Sequence, residues 1–161
     1  MKSGLPFVLV LTCLSAALAG CLASPTAAAT ATPDAAPQVR TFMGKFNQCF
    51  AQMTPDCMAA AFAPDGEVYS TGLLQASGPQ AIRSYWNASF SAARLDSLAA
   101  TVDSIVISGG VAVVLGTYDE KTTDTAGNAN EIKLHYVAEW IRQADGSWLL
   151  HRISTVPVGS D

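Results

Sequence analysis

An α+β fold, with helices gathered on one face of a mainly antiparallel sheet, follows from three features of this 161-residue chain. Large apolar residues recur every three or four positions as far as Phe90, and beyond that point the spacing shortens to two. Gly109-Gly110 and Asp145-Gly146 then divide the second half into paired strands, because each supplies the positive φ that a tight hairpin needs. Helices first and strands afterwards give segregated layers rather than alternating βαβ units.

The first 20 residues stand apart from that pattern. Lys2 is followed by an uncharged stretch from Leu5 to Leu18, about 14 residues against the roughly 20 that a spanning helix needs. A positive start, an apolar centre and small residues before the cut are the order of a secretory signal peptide over residues 1–20. Ala17-Leu18-Ala19 fits ordinary cleavage, which would release a soluble protein at Gly20. Leu18-Ala19-Gly20-Cys21 resembles the lipobox of bacterial lipoproteins and makes Cys21 the expected lipidation site. That resemblance implies a diacylglyceryl thioether and an N-acyl chain. At about 0.8 kcal/mol per buried CH₂, several such chains hold a protein stably to a membrane. Leu22 rather than Asp follows the cysteine, so the inner-membrane retention signal is absent. The expectation is an exported, lipid-anchored protein of a bacterial cell envelope, on the outer membrane facing the periplasm in a Gram-negative source.

Residues 21–37 are mostly Ala, Thr and Pro without a periodic apolar face, and read as a flexible tether. Residues 38–161 then suffice for one domain with its own core. The whole chain carries a net charge of −4, and loss of Lys2 with the leader makes it one unit more negative. No basic cluster offers itself to nucleic acid. With Cys13 in the leader and Cys21 lipidated, Cys49 and Cys57 remain as an even pair in an oxidising compartment. A disulfide is expected between them, the alternative being two buried thiols.

Within the domain, Val39, Phe42, Met43, Phe46, Phe50 and Met53 form a helical stripe with Pro37 near its start. Thr54-Pro55-Asp56 opens a second helix, with a hydroxyl at the cap, Pro at the first position and an acid in the first turn. Cys49 and Cys57 flank the corner between the two. Pro64-Asp65-Gly66 reads as a turn before a short strand, "EVYST", and a polar loop. Ser77-Gly78-Pro79 begins the third helix, carrying Ile82, Tyr85, Trp86 and Phe90. Four strands follow: "LAATVDSIVIS", "VAVVLGTYDEKT", "EIKLHYVAEWIRQ" and "SWLLHRISTV". No spacing of His, Cys, Asp and Glu suits a metal, and no cofactor is expected.

The segments "AFAPDGEVYS", "SGPQAIRSYW", "GTYDEK" and "YVAEWIRQADGSWLLHRIST", in this order, resemble the nuclear transport factor 2-like superfamily, in its polyketide cyclase-like and ketosteroid isomerase-like branch. The likeness spans Val39 to Val156. It implies a cone, in which three N-terminal helices close a curved sheet over a pocket for a small apolar ligand. It also implies a possible homodimer through the outer sheet face. Ketosteroid isomerase works with a Tyr, an Asp base and a second Asp. The resemblance places them here on Phe46, on Ser70 and near Ala138, none of which can do that work.

What could still act on a ligand is limited. Strand alternation puts His151 on one face with Leu149, Ile153 and Thr155, and the resemblance turns that face toward the pocket. The same argument brings Val114, Gly116, Tyr118, Tyr136, Ala138 and Trp140 inward. Trp86, Tyr118, Tyr136, Trp140 and His151 are thus the expected ligand-binding residues, with core filling as the competing role for the aromatics. Lys133, His135 and Glu139 fall on the outer face, as a solvated surface or dimer contact. Arg83, Arg142 and Arg152 read as surface groups, and the Asn87-Ala88-Ser89 sequon sits in a helix. The expected function is non-catalytic binding of a small apolar molecule or an envelope partner protein. The alternative is a small isomerase, dehydratase or cyclase with His151 as general acid or base and Tyr118 beside it.

Overall fold

Val39, Met43, Phe46 and Cys49 form one buried stripe along α1 (Ala35–Ala51), at the expected spacing of three and four. The computed structural model describes residues 35–159; the expected signal peptide, the expected lipidation site at Cys21 and the expected tether up to residue 34 lie outside the described residues. Helix α1 takes in the last three residues assigned to the tether. Pro37 is tolerated there because the first-turn N–H groups have no partner in any helix.

Thr54 is extended and Pro55 is the first residue of α2 (Pro55–Ala60), as the Thr-Pro-Asp signal predicts. The Thr54 hydroxyl donates to the Gln52 carbonyl at 3.3 Å instead of capping the helix. A disulfide joins Cys49 to Cys57, with their Cα atoms 5.5 Å apart. It staples α1 to α2 above the buried Met58.

Six strands follow or flank α3 (Pro79–Ala92): β1 (Phe62–Ser70), β2 (Leu73–Ser77), β3 (Ala93–Ser108), β4 (Val111–Asp124), β5 (Ala129–Arg142) and β6 (Trp148–Pro157). They form one sheet in the order β2-β1-β6-β5-β4-β3. Among the described residues only β1 and β6 pair in parallel. Gly109 (φ 58) closes the β3–β4 hairpin as expected.

Two parts of β1 and β2 depart from the sequence reading. The polar loop after "EVYST" is a strand: Ser70 pairs with Leu73 and Tyr69 with Leu74 around Thr71 (φ 51) and Gly72 (φ 79). Two positive-φ residues in succession make a turn matched to strand twist. Leu73 and Leu74 are both exposed, so no inward alternation advertised this edge strand. The Pro64-Asp65-Gly66 turn is absorbed into β1 as a bulge, between the pairings of Phe62 with Leu150 and of Glu67 with Arg152.

On the inner face, Ala112, Val114 and Tyr118 of β4 meet Tyr136, Ala138 and Trp140 of β5, all buried. Gly116 lies between them because Tyr136 crosses that spot. A Cβ there would strike the Thr101 carbonyl and the Tyr136 ring. The Tyr136 hydroxyl donates to that same carbonyl at 2.7 Å. Leu115 and Val137 pair on the outer face and are 40% and 45% exposed.

Candidate functional site

A cavity of about 370 Å³ opens between the helices and the far half of the sheet. Its wall is mostly apolar: Phe46, Phe50 and Met53 from the α1 side, Tyr85, Trp86 and Phe90 from α3, Leu134 from β5 and Ile153 from β6. Long strands make this space. The strands β3, β4 and β5 are 16, 14 and 14 residues long, and β3, whose register shifts at Leu95/Ser97 and Val102/Ser104, contributes Ala93 and Leu95 to the wall.

Aromatic packing fixes the helical wall. Trp86 meets Phe50 edge-on with ring centroids 5.3 Å apart and stacks on Phe90 at 5.6 Å. Tyr85 packs on it at 5.0 Å. Across the cavity Tyr118 donates to the Asn47 side-chain oxygen at 3.1 Å and stacks on Tyr136 at 4.5 Å. Burial pushes the Tyr118 phenol well above its ordinary range and raises Tyr136 to about 12, so both stay neutral.

One lining residue is charged. Glu120 stands two residues beyond Tyr118 on the inward side of β4, opposite Ile132 of β5. It makes no hydrogen bond or ion pair with any described residue, and neither Lys nor Arg lines the cavity. Burial raises its carboxyl above the usual range. Its negative charge in turn helps raise the Tyr85 and Tyr118 phenols, after burial itself. Sequence reasoning passed over Glu120, although the parity that turned Val114, Gly116 and Tyr118 inward extends to residue 120 in "GTYDEKT".

The five residues expected to bind ligand do not come together. Trp86 and Tyr118 line the cavity. Tyr136 and Trp140 are buried in the packed end of the cone, where Trp140 meets Phe46 edge-on at 6.3 Å. His151 is outside the lining. Its Nδ1 lies 2.6 Å from Glu139 Oε1, and Glu139 is on the opposite side of β5 from Ala138 and Trp140. Asp65 Oδ2 is 3.8 Å from Nε2. A bulge in β6 explains the slip. Glu139 pairs with Arg152 while the next residue, Trp140, pairs with Leu150, which leaves His151 as the extra residue. Parity therefore changes across it: Trp148 and Leu150 are buried before the bulge, Ile153 after it. His151 and Tyr118 do not share a site. Phe46 and Ser70, where the isomerase would have Tyr and Asp, do line the cavity, and the third position, Ala138, is buried outside it.

The SnoaL-like domain model matches residues 43–151 of the chain. The chain belongs to the SnoaL-like domain family. Solved structures agree on the nuclear transport factor 2-like fold. A ketosteroid isomerase-like protein from Erwinia carotovora atroseptica is 17% identical, with a TM-score of 0.73 over 81% of this chain and 100% of that one. A nuclear transport factor 2-like superfamily protein from Salmonella enterica serovar Typhimurium is 11% identical, with a TM-score of 0.68 over 81% and 95%. An NTF2-like protein with a cystatin-like fold from Novosphingobium aromaticivorans is 14% identical, with a TM-score of 0.63 over 80% and 84%. No curated protein matches the chain.

Proposed function

We propose that this SnoaL-like domain binds a small, largely apolar molecule in its cone and does so on a lipid-anchored envelope protein. The observation that carries the reading is the cavity of about 370 Å³, lined by aromatic and aliphatic side chains around one carboxylate. That size and composition suit a ligand of one or two rings, with polar groups fixing its orientation. The catalytic alternative through His151 loses its support, since that imidazole is held by Glu139 away from the cavity. An enzyme working in the cavity would have Glu120 as its carboxyl group, beside the phenols of Tyr85 and Tyr118. Self-association through the outer sheet face draws its support from exposed Val106, Leu115, Val137 and Val156.

The test is binding of N-phenyl-1-naphthylamine, an uncharged apolar dye whose fluorescence rises when it leaves water. The wild-type chain should bind it at one site. Leu134→Trp, which fills the cavity from β5, should reduce that binding at least tenfold while leaving the circular dichroism unchanged. Equal binding by both proteins would place the dye elsewhere and overturn the reading.

A further inference from the structure

The position of Glu120 narrows the ligand class, on the reading that the cavity is a binding site. We propose that the cavity selects an organic cation: a molecule with an apolar ring or chain that carries one protonated amine against Glu120. Three observations converge on it. Among the described residues, Glu120 is the sole ionic side chain in the lining, on β4 with Tyr118 before it and Thr122 after it on the same side. No described residue donates a hydrogen bond to it or pairs with its charge, so its acceptor capacity is unspent. Aromatic rings from two directions, Tyr85 and Trp86 from α3 and Tyr118 from β4, share the wall with it.

Each class of ligand meets this arrangement differently. An anion would bring a second negative charge into an apolar enclosure beside the first. A neutral molecule would cover the carboxylate and leave it either unpaired or protonated. An alkylammonium supplies donors that match the free carboxylate oxygens in a charge-assisted bond. Its flanking CH₂ groups and remaining charge can lie against the electron-rich faces of the aromatic wall. Phe50, Phe90, Ile132 and Leu134 then take the apolar body.

Three probes of one shape decide it: 4-phenylbutylamine, 4-phenylbutan-1-ol and 4-phenylbutyrate, titrated by calorimetry at neutral pH into the full chain and into Glu120→Gln. The amine should bind the wild type at least tenfold more tightly than the alcohol, a gap of about 1.4 kcal/mol, and the carboxylate should bind most weakly. Glu120→Gln should remove the preference for the amine while still binding the alcohol. Alcohol binding that equals or exceeds amine binding in the wild type would overturn the cation inference and leave the apolar binding site standing. So would an amine preference that survives in a folded Glu120→Gln. Failure of all three probes to bind would overturn the binding site itself. The wild-type comparison alone is decisive if the variant does not fold.

Discussion

Glu120 makes the conflict between stability and binding visible in a single side chain. Its carboxyl is held above the ordinary range by burial, so the folded state resists ionising it. The sign of the consequence follows from linkage. Below about pH 4 the carboxyl is protonated in both folded and unfolded chains, and it contributes no difference. As pH rises, the unfolded chain releases that proton first, and stability falls until the folded carboxyl ionises as well. At neutral pH the unliganded protein therefore carries a penalty that Glu120→Gln removes. Thermal unfolding from pH 3.5 to 7.5 should find the variant more stable than wild type at neutral pH, with the difference shrinking toward acid. A difference that grew toward acid would mean that the ionised carboxylate is stabilised in the fold, contrary to its unpartnered place in the cavity wall. Tyr85 and Tyr118 face it from α3 and β4, and both stay neutral throughout this range. Gly116 illustrates the same economy in packing: a missing side chain on β4 lets Tyr136 cross the sheet and bond to the Thr101 carbonyl.

Elements were legible wherever a regular period met a buried face. The stripe of α1, the Thr-Pro start of α2, the Gly109-Gly110 hairpin and the inward residues of β4 and β5 all follow directly from spacing. What the period could not carry was its own interruption. A bulge at His151 changes the parity of β6 in mid-strand, so the same alternation that places Ile153 and Thr155 on the cavity misplaces Leu149 and His151. Strand β2 lacks an inward alternation altogether, and only its pairing with β1 defines it. The helical corner depends on covalent chemistry. Cys49 and Cys57 are 8 positions apart, and in the chain-entropy model a loop of that size is worth a little under ~3 kcal/mol. Replacing both cysteines by Ser should lower unfolding stability in urea by roughly 1–3 kcal/mol with little change in the slope. Two reactive thiols in the unfolded, non-reduced wild type would remove the bridge from the argument.

For the whole molecule, the cone and its proposed attachment would divide the work. The described residues supply a cavity whose wall includes Thr122 and Pro157 near the ends of β4 and β6, Ile132 near the start of β5 and Phe90 near the end of α3. The proposed anchor is far away in sequence: 13 residues separate Cys21 from the start of α1 at Ala35. A stretch of that length, fully extended, would span at most about 47 Å at up to ~3.6 Å per residue. The anchor rests on the Leu18-Ala19-Gly20-Cys21 match, and its decisive test is chemical. Cells fed an alkynyl fatty acid should label the wild-type protein and not Cys21→Ser, and the variant should move from the membrane to the soluble fraction. A Cys21→Ser protein that stays labelled and membrane-bound would place the attachment elsewhere. Cleavage after Ala19 instead predicts an unlabelled wild type beginning at Gly20, free to diffuse and able to carry its ligand away from the surface.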